Sequence, residues 1–226
     1  MKNLSSLKSP IVKESLDRKA ATQLRIAVLS GEIPPGTRIT EQFLASQMGL
    51  SRGTVRAALH RLVSEGLIVQ NIYSNWEVMK LTAEDADELY TLRASLEGLA
   101  GRLAARRVDQ DSRALLSAAF DNLAEVAKSG SEVDLADADL NLHHTIVEIS
   151  QNKRLIEHYR QVEGQLRMYI GSVNGLLPTP EAVASSHQPM VDAILAGDET
   201  SAEELLIEHS EVYGEKLNRL LLSMEA

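Results

Sequence analysis

The chain has 226 residues, enough for one large or two modest domains that each bury a core. It has no cysteine, which excludes disulfides, thiolate metal sites and Cys nucleophiles, and suits a cytoplasmic location. The net charge of −9 divides unevenly: residues 1–80 hold 11 Lys+Arg against 6 Asp+Glu, and residues 81–226 hold 12 against 26. A polyanionic partner therefore belongs to the first segment, because like charge keeps the second away from phosphates. No apolar run approaches the roughly 20 residues of a membrane span, and the N-terminus lacks the apolar core of an export signal.

In chain order, Leu16, Ala20, Leu24, Ala27 and Val28 recur at three- and four-residue spacings, predicting a helix from Glu14 to Ser30. Gly31 and Pro34-Pro35-Gly36 end it. Thr40 is placed to cap a short helix through Met48, with Glu41 in the first turn where the helix dipole favours an acid. After Gly49, Ser51 opens a helix from Arg52 to Glu65, stopped by Gly66. Leu67-Ile68-Val69 and Trp76-Glu77-Val78 flank Tyr73-Ser74-Asn75 and read as a small hairpin. Two close-set helices, a Gly turn and a hairpin describe a winged helix-turn-helix over residues 1–80.

Beyond Lys80 only helical signals remain. Thr82 and Asp85 suggest a capping box that starts a helix toward Arg107. Further helices are predicted for Asp111–Lys128, Glu132–Ser150, Lys153–Ser172, Glu181–Ala196 and Thr200–Ser223. Pro189 should kink the penultimate helix or delay its start. The fold class is mainly α: an N-terminal winged helix-turn-helix and, over residues 81–226, an all-α antiparallel bundle.

In the helix that opens at Ser51, the exposed Arg52, Gly53 and Thr54 can reach base edges, and Arg56 lies one turn along the same face. An arginine there can donate two hydrogen bonds to guanine, while Ser51 and Thr54 can hold phosphates. Val55, Ala58, Leu59 and Leu62 point the other way, into a core.

In the second segment, Asp139 and His143 share one helical face, and His187 and His209 lie on two later helices. An antiparallel bundle can bring the four together as a first-row metal site with open positions. A lone helical histidine is more often a surface or satisfied residue, and His144 and His158 are read as exposed. Arg93 and Glu97 can form an intrahelical ion pair, or Arg93 can face the bundle cavity and grip a carboxylate there. Tyr159, Arg160, Arg167 and Tyr169 are further polar groups available to line that cavity.

The segment PPGTRITEQFLASQMGLSRGTVRAALHRLVSEGLI closely resembles the N-terminal domain of GntR-family transcription regulators. Asp139-Leu-Asn-Leu-His143, then Asn152 and Leu155, resembles the D-x-x-F-H…N-x-x-L signature of the FCD ligand-binding domain of the FadR subgroup, with Leu142 replacing the common Phe. His187 with Ala193-Ile194 and Gly197-Asp198, and His209, fit the later histidines of that signature, and Arg93 and Glu97 its R-x-x-x-E position.

The resemblance implies a homodimeric regulator, a repressor, that binds a short inverted repeat of double-stranded operator DNA. Arg38 is expected to contact phosphate, and Asn75 stands at the wing where relatives commonly place Gly. A divalent ion on Asp139, His143, His187 and His209 is implied, zinc first, with nickel, manganese or iron as alternatives. A small organic acid near it is the implied effector. Two other readings are a sensor of the metal ion itself and a metalloenzyme with an accessory DNA-binding domain.

Overall fold

The computed structural model describes residues 15–71, 75–80, 82–174 and 179–225, without the side chains of 71, 75, 171–174 and 225. Helix α1 (Leu16–Leu29) buries the stripe Ala20, Ala21, Leu24 and Val28. Strand β1 (Arg38–Ile39) leads into α2 (Glu41–Met48), whose N-terminus is closed by Thr40 Oγ1 accepting from the Phe43 N–H. Gly49 ends α2 at φ +64°, a left-handed conformation that costs glycine nothing and lets the chain turn at once into α3.

Helix α3 (Arg52–Ser64) is capped by Ser51, and Val55, Ala58, Leu59 and Leu62 are fully buried, as the spacing predicts. Strands β2 (Ile68–Asn71) and β3 (Asn75–Val78) form the expected hairpin. The sheet has a third strand that periodicity did not reveal, in the order β1-β3-β2, with Ile39 and Gln70 flanking Trp76. Two residues are too few to show an alternating pattern. The turn residues Tyr73 and Ser74, and the side chain of Asn75, lie outside the described residues.

The remaining helices are α4 (Ala83–Arg107), α5 (Gln110–Ser129), α6 (Glu132–Ile149), α7 (Lys153–Asn174), α8 (Pro180–Ala196) and α9 (Glu199–Glu225). They enclose a second apolar core, separate from that of the winged module; Met168 of α7 packs against both. Among the described residues, no helix is long and apolar enough to cross a membrane.

Helix α4 lies closely along α9. A Cβ at Gly101 would stand 2.8 Å from the Ala202 carbonyl oxygen, so the approach of the two backbones depends on glycine there. That approach brings the polar middle of α4 against Ser210 of α9, which donates to Glu97.

Two local expectations are refined. Thr82 does cap α4, but the box is incomplete: the Asp85 carboxylate accepts from the Tyr169 hydroxyl at 2.8 Å. The complete capping box is instead at α6, between Ser131 and Asp134. Helix α8 starts early, at Pro180 behind the Thr179 cap, and runs through Pro189, so the late start does not occur. Proline at the first helical position loses no intrahelical bond, which makes Pro180 a natural start.

Candidate functional site

Glu41, at the start of α2, is 4% exposed and lies against the outer face of α3. Arg56 Nε donates to its Oε1 at 2.7 Å and Arg56 Nη2 to its Oε2 at 2.8 Å, a two-pronged pair. Arg52 Nη2 is 3.5 Å from the same Oε2. The hydrogen bond from Arg56 holds the Glu41 carboxyl below the usual carboxylate range. The arginine side chains themselves stay open, at 65% for Arg52 and 53% for Arg56. The expected pair is thus on one exposed face, and Glu41, a first-turn acid of α2 within the GntR-like segment, reaches both arginines across the helices.

Ser51 Oγ accepts from the Thr54 N–H at 3.1 Å and lies 2.8 Å from Thr54 Oγ1, so both hydroxyls sit at the helix entrance. Gly53 is exposed beside them, and a Cβ there would meet only Ser51 Oγ, at 3.8 Å. Arg38 is 80% exposed on β1, with Nε 3.9 Å from Glu77.

In the bundle, three helices converge. His143 of α6 and His187 of α8 place their Nε2 atoms 3.1 Å apart, and Asp139 Oδ1 is 3.5 Å from each. His209 of α9 completes the set: one ring nitrogen from each histidine lies within 4.8 Å of the others. Tetrahedral zinc with bonds of about 2.0–2.1 Å holds its ligand atoms roughly 3.3 Å apart, so the cluster fits such an ion. His143 and Asp139 are buried, His187 is 1% exposed and His209 is half-buried.

The Nδ1 atoms of His187 and His143 differ in what they meet. His187 Nδ1 donates to the Val183 carbonyl at 2.7 Å, which fixes the tautomer and leaves Nε2 free to ligate. His143 Nδ1 is 2.9 Å from Glu97 Oε2, close but poorly aligned for a linear hydrogen bond. Burial pushes His143 below its ordinary range, and burial together with neighbouring positive groups pushes His209 well below. Both are therefore neutral near pH 7, the form that binds metal.

Burial pushes the Asp139 carboxyl up, but His187, His143 and Arg93 outweigh it and hold it at about 2. Glu97 is pulled well below the carboxylate range against the same burial, by Arg93 and His143. Asp139, Glu97 and Arg93 together carry one net negative charge beside the imidazoles. A divalent cation would reverse that sign.

Arg93 and Glu97 do pair, Nε to Oε1 at 2.8 Å, and both are buried. Tyr159 donates to the same Oε1 at 2.8 Å. Glu97 thus joins Arg93, Tyr159, Ser210 and His143, a hub that reading the pair within one helix could not reveal. Arg93 Nη2 and the Tyr90 hydroxyl remain buried with no hydrogen-bond partner. A cleft of about 240 Å³ lined by Pro189, Met190, His209 and Tyr213 opens between α8 and α9 on the His209 side.

The other polar candidates lie elsewhere. Arg160 pairs with Glu148, Arg167 with Asp137, and Tyr169 with Asp85. His158 is exposed as expected, whereas His144 is half-buried, 2.8 Å from Glu163, which raises its pKa.

Comparison with known proteins bears on both halves. The family model described as "FCD domain" matches residues 88–212, more than half of the chain, and "Bacterial regulatory proteins, gntR family" matches residues 16–72. The chain belongs to the GntR family of bacterial regulators with an FCD domain. It is 30% identical over 197 residues to the "Probable D-xylose utilization operon transcriptional repressor" of Paenarthrobacter nicotinovorans, covering 85% of this chain and 86% of that one. It is 36% identical over 135 residues to the "Nta operon transcriptional regulator" of Aminobacter aminovorans, covering 59% and 63%. The solved structure of McbR/YncC from E. coli shares the fold, with TM-score 0.75, 22% identity, and coverage of 91% and 98%.

This GntR/FCD chain is accordingly a transcription regulator and not an enzyme, which sets aside the metalloenzyme alternative. Regulators of the family bind operator DNA and are typically dimeric.

Proposed function

We propose that the chain is a dimeric repressor of the FadR subgroup whose operator affinity is set by a small organic acid bound beside a divalent metal. Residues 1–80 form the DNA-binding module and residues 81–226 the sensing and dimerising bundle. In this reading Arg52 and Arg56 read bases in the major groove, with Gly53 allowing close approach. Ser51, Thr54 and Arg38 hold phosphates, and Asn75 serves the wing. Dimerisation through the bundle places two modules on the halves of a short inverted repeat. The description of the D-xylose relative as an operon transcriptional repressor supports the repressor assignment, and the family and the lack of cysteine support a cytoplasmic location.

The observation that carries the sensing half is the convergence of Asp139, His143, His187 and His209 next to a buried guanidinium with a spare donor. Bound there, a divalent ion, zinc before nickel, manganese or iron, would supply open coordination positions for a ligand oxygen. Arg93 Nη2 and the Tyr90 hydroxyl would complete a carboxylate site, and an acid that satisfied these two groups would remove the cost of leaving them unpaired. Effector binding would then favour one arrangement of the two DNA modules over another.

Elemental analysis with native mass spectrometry of the purified chain tests this reading. It should show one metal per protomer in a dimer, and His187→Ala should lose the metal while keeping the fold. Undiminished metal in that variant would remove His187 from the site. Metal that changes operator affinity with no organic acid present would instead favour a sensor of the ion itself.

A further inference from the structure

Glu41 is a buried carboxylate facing the side of α3 that the proposed function presents to DNA, and it does more there than neutralise a charge. Its fork engages Arg56 through Nε and Nη2, the side-on edge of the guanidinium. The end-on edge, formed by Nη1 and the second hydrogen of Nη2, remains available. That edge presents two parallel N–H groups, the pattern complementary to guanine O6 and N7.

Arg56 is a long side chain, and at 53% exposure it has few other restraints. Unpaired, it would reach phosphates as readily as bases, because its charge is attracted to any part of the duplex. Glu41 comes from α2, which is packed on α3, so its position relative to the helix is fixed. Its negative charge also lies near the duplex and disfavours close approach to phosphate wherever no guanine contact compensates.

We infer that Glu41 is a positioning residue for operator discrimination: its carboxylate orients Arg56 toward a guanine and withholds it from the phosphate backbone. The inference rests on the reading of α3 as the base-reading helix.

The test uses the full-length chain and the duplex it selects from a randomised pool, alongside a scrambled duplex of the same composition. Glu41→Gln keeps the size of the side chain but breaks the fork. It should lower the ratio of selected to scrambled affinity about tenfold, the range of one bidentate base contact. Affinity for the scrambled duplex should rise, and its dependence on log salt should steepen by about one as Arg56 turns to phosphate.

A purely structural role would instead lower both affinities alike, together with the melting temperature, and that result overturns the inference. So does an unchanged ratio. Arg56→Gln separates this from the underlying reading: if it leaves the ratio unchanged, the assignment of α3 falls, whatever Glu41→Gln does. If Arg56→Gln lowers the ratio, the double variant should discriminate no worse than Arg56→Gln alone, because Glu41 acts through Arg56. Additive losses would contradict the inference.

Discussion

The two halves of the molecule each contain an arginine held in a carboxylate's grip, and they differ in what surrounds the arginine. In the winged module Arg56 is half exposed, and its partner Glu41 is the buried member of the pair. In the bundle Arg93 and Glu97 are both buried, and Glu97 also takes Tyr159 and approaches His143. An exposed guanidinium can exchange its neighbours for a duplex. A buried one can serve only what enters the cavity. The same pair thus suits a surface reader in one place and an internal scaffold in the other.

Removing a partner should therefore have unequal consequences. Glu97→Ala leaves Arg93 buried without its hydrogen-bonded carboxylate, which should cost about 3–5 kcal/mol of stability, read by denaturant titration. The milder Glu97→Gln should weaken metal binding about 10–100-fold, the usual effect of losing a group that orients a ligand histidine. A loss below about 1 kcal/mol in Glu97→Ala would mean that the interior reorganises freely, and the contrast between the two pairs would collapse.

Arg56→Ala should leave folding and dimerisation intact and reduce operator preference by about 1–3 kcal/mol, measured by competition between duplexes. A stability loss as large as that of Glu97→Ala would place Arg56 in the scaffold class instead.

The smallest effect concerns pH. Glu41 titrates below its ordinary value of 4.5 in the folded chain, so its pair contributes stability above that value and loses it as pH falls through the lowered one. The stability difference between wild type and Glu41→Gln should be flat from about pH 8 to 5 and shrink below 4.5. A difference that grows on acidification would reverse the assigned direction.

The helices that carry this contrast are legible in the residue order, for definite reasons. Helix starts announce themselves chemically, so Thr40, Ser51 and Thr82 were found as caps, and the apolar face of α3 follows directly from its spacing. The ligand set could be suggested because Asp139 and His143 are one turn apart, although their meeting with His187 and His209 depends on the packing of three helices. What stayed hidden was long-range pairing. Glu41 is 15 residues from Arg56, and Tyr159 is 62 from Glu97. No local pattern marks such contacts. Strand β1 escaped for a related reason, since its two residues gain their identity only by pairing with β3.

We propose that a divalent ion held by Asp139, His143, His187 and His209 would govern what the exposed arginines do. The most direct test is operator affinity, measured by fluorescence anisotropy on purified, chelator-treated and zinc-reloaded protein, with metal content determined for each sample. Chelation should change affinity for the selected duplex, leave affinity for a scrambled duplex nearly unaltered, and be reversed by zinc. Complete removal of metal from a folded dimer with operator affinity unchanged, in the presence and absence of organic acids, would contradict it.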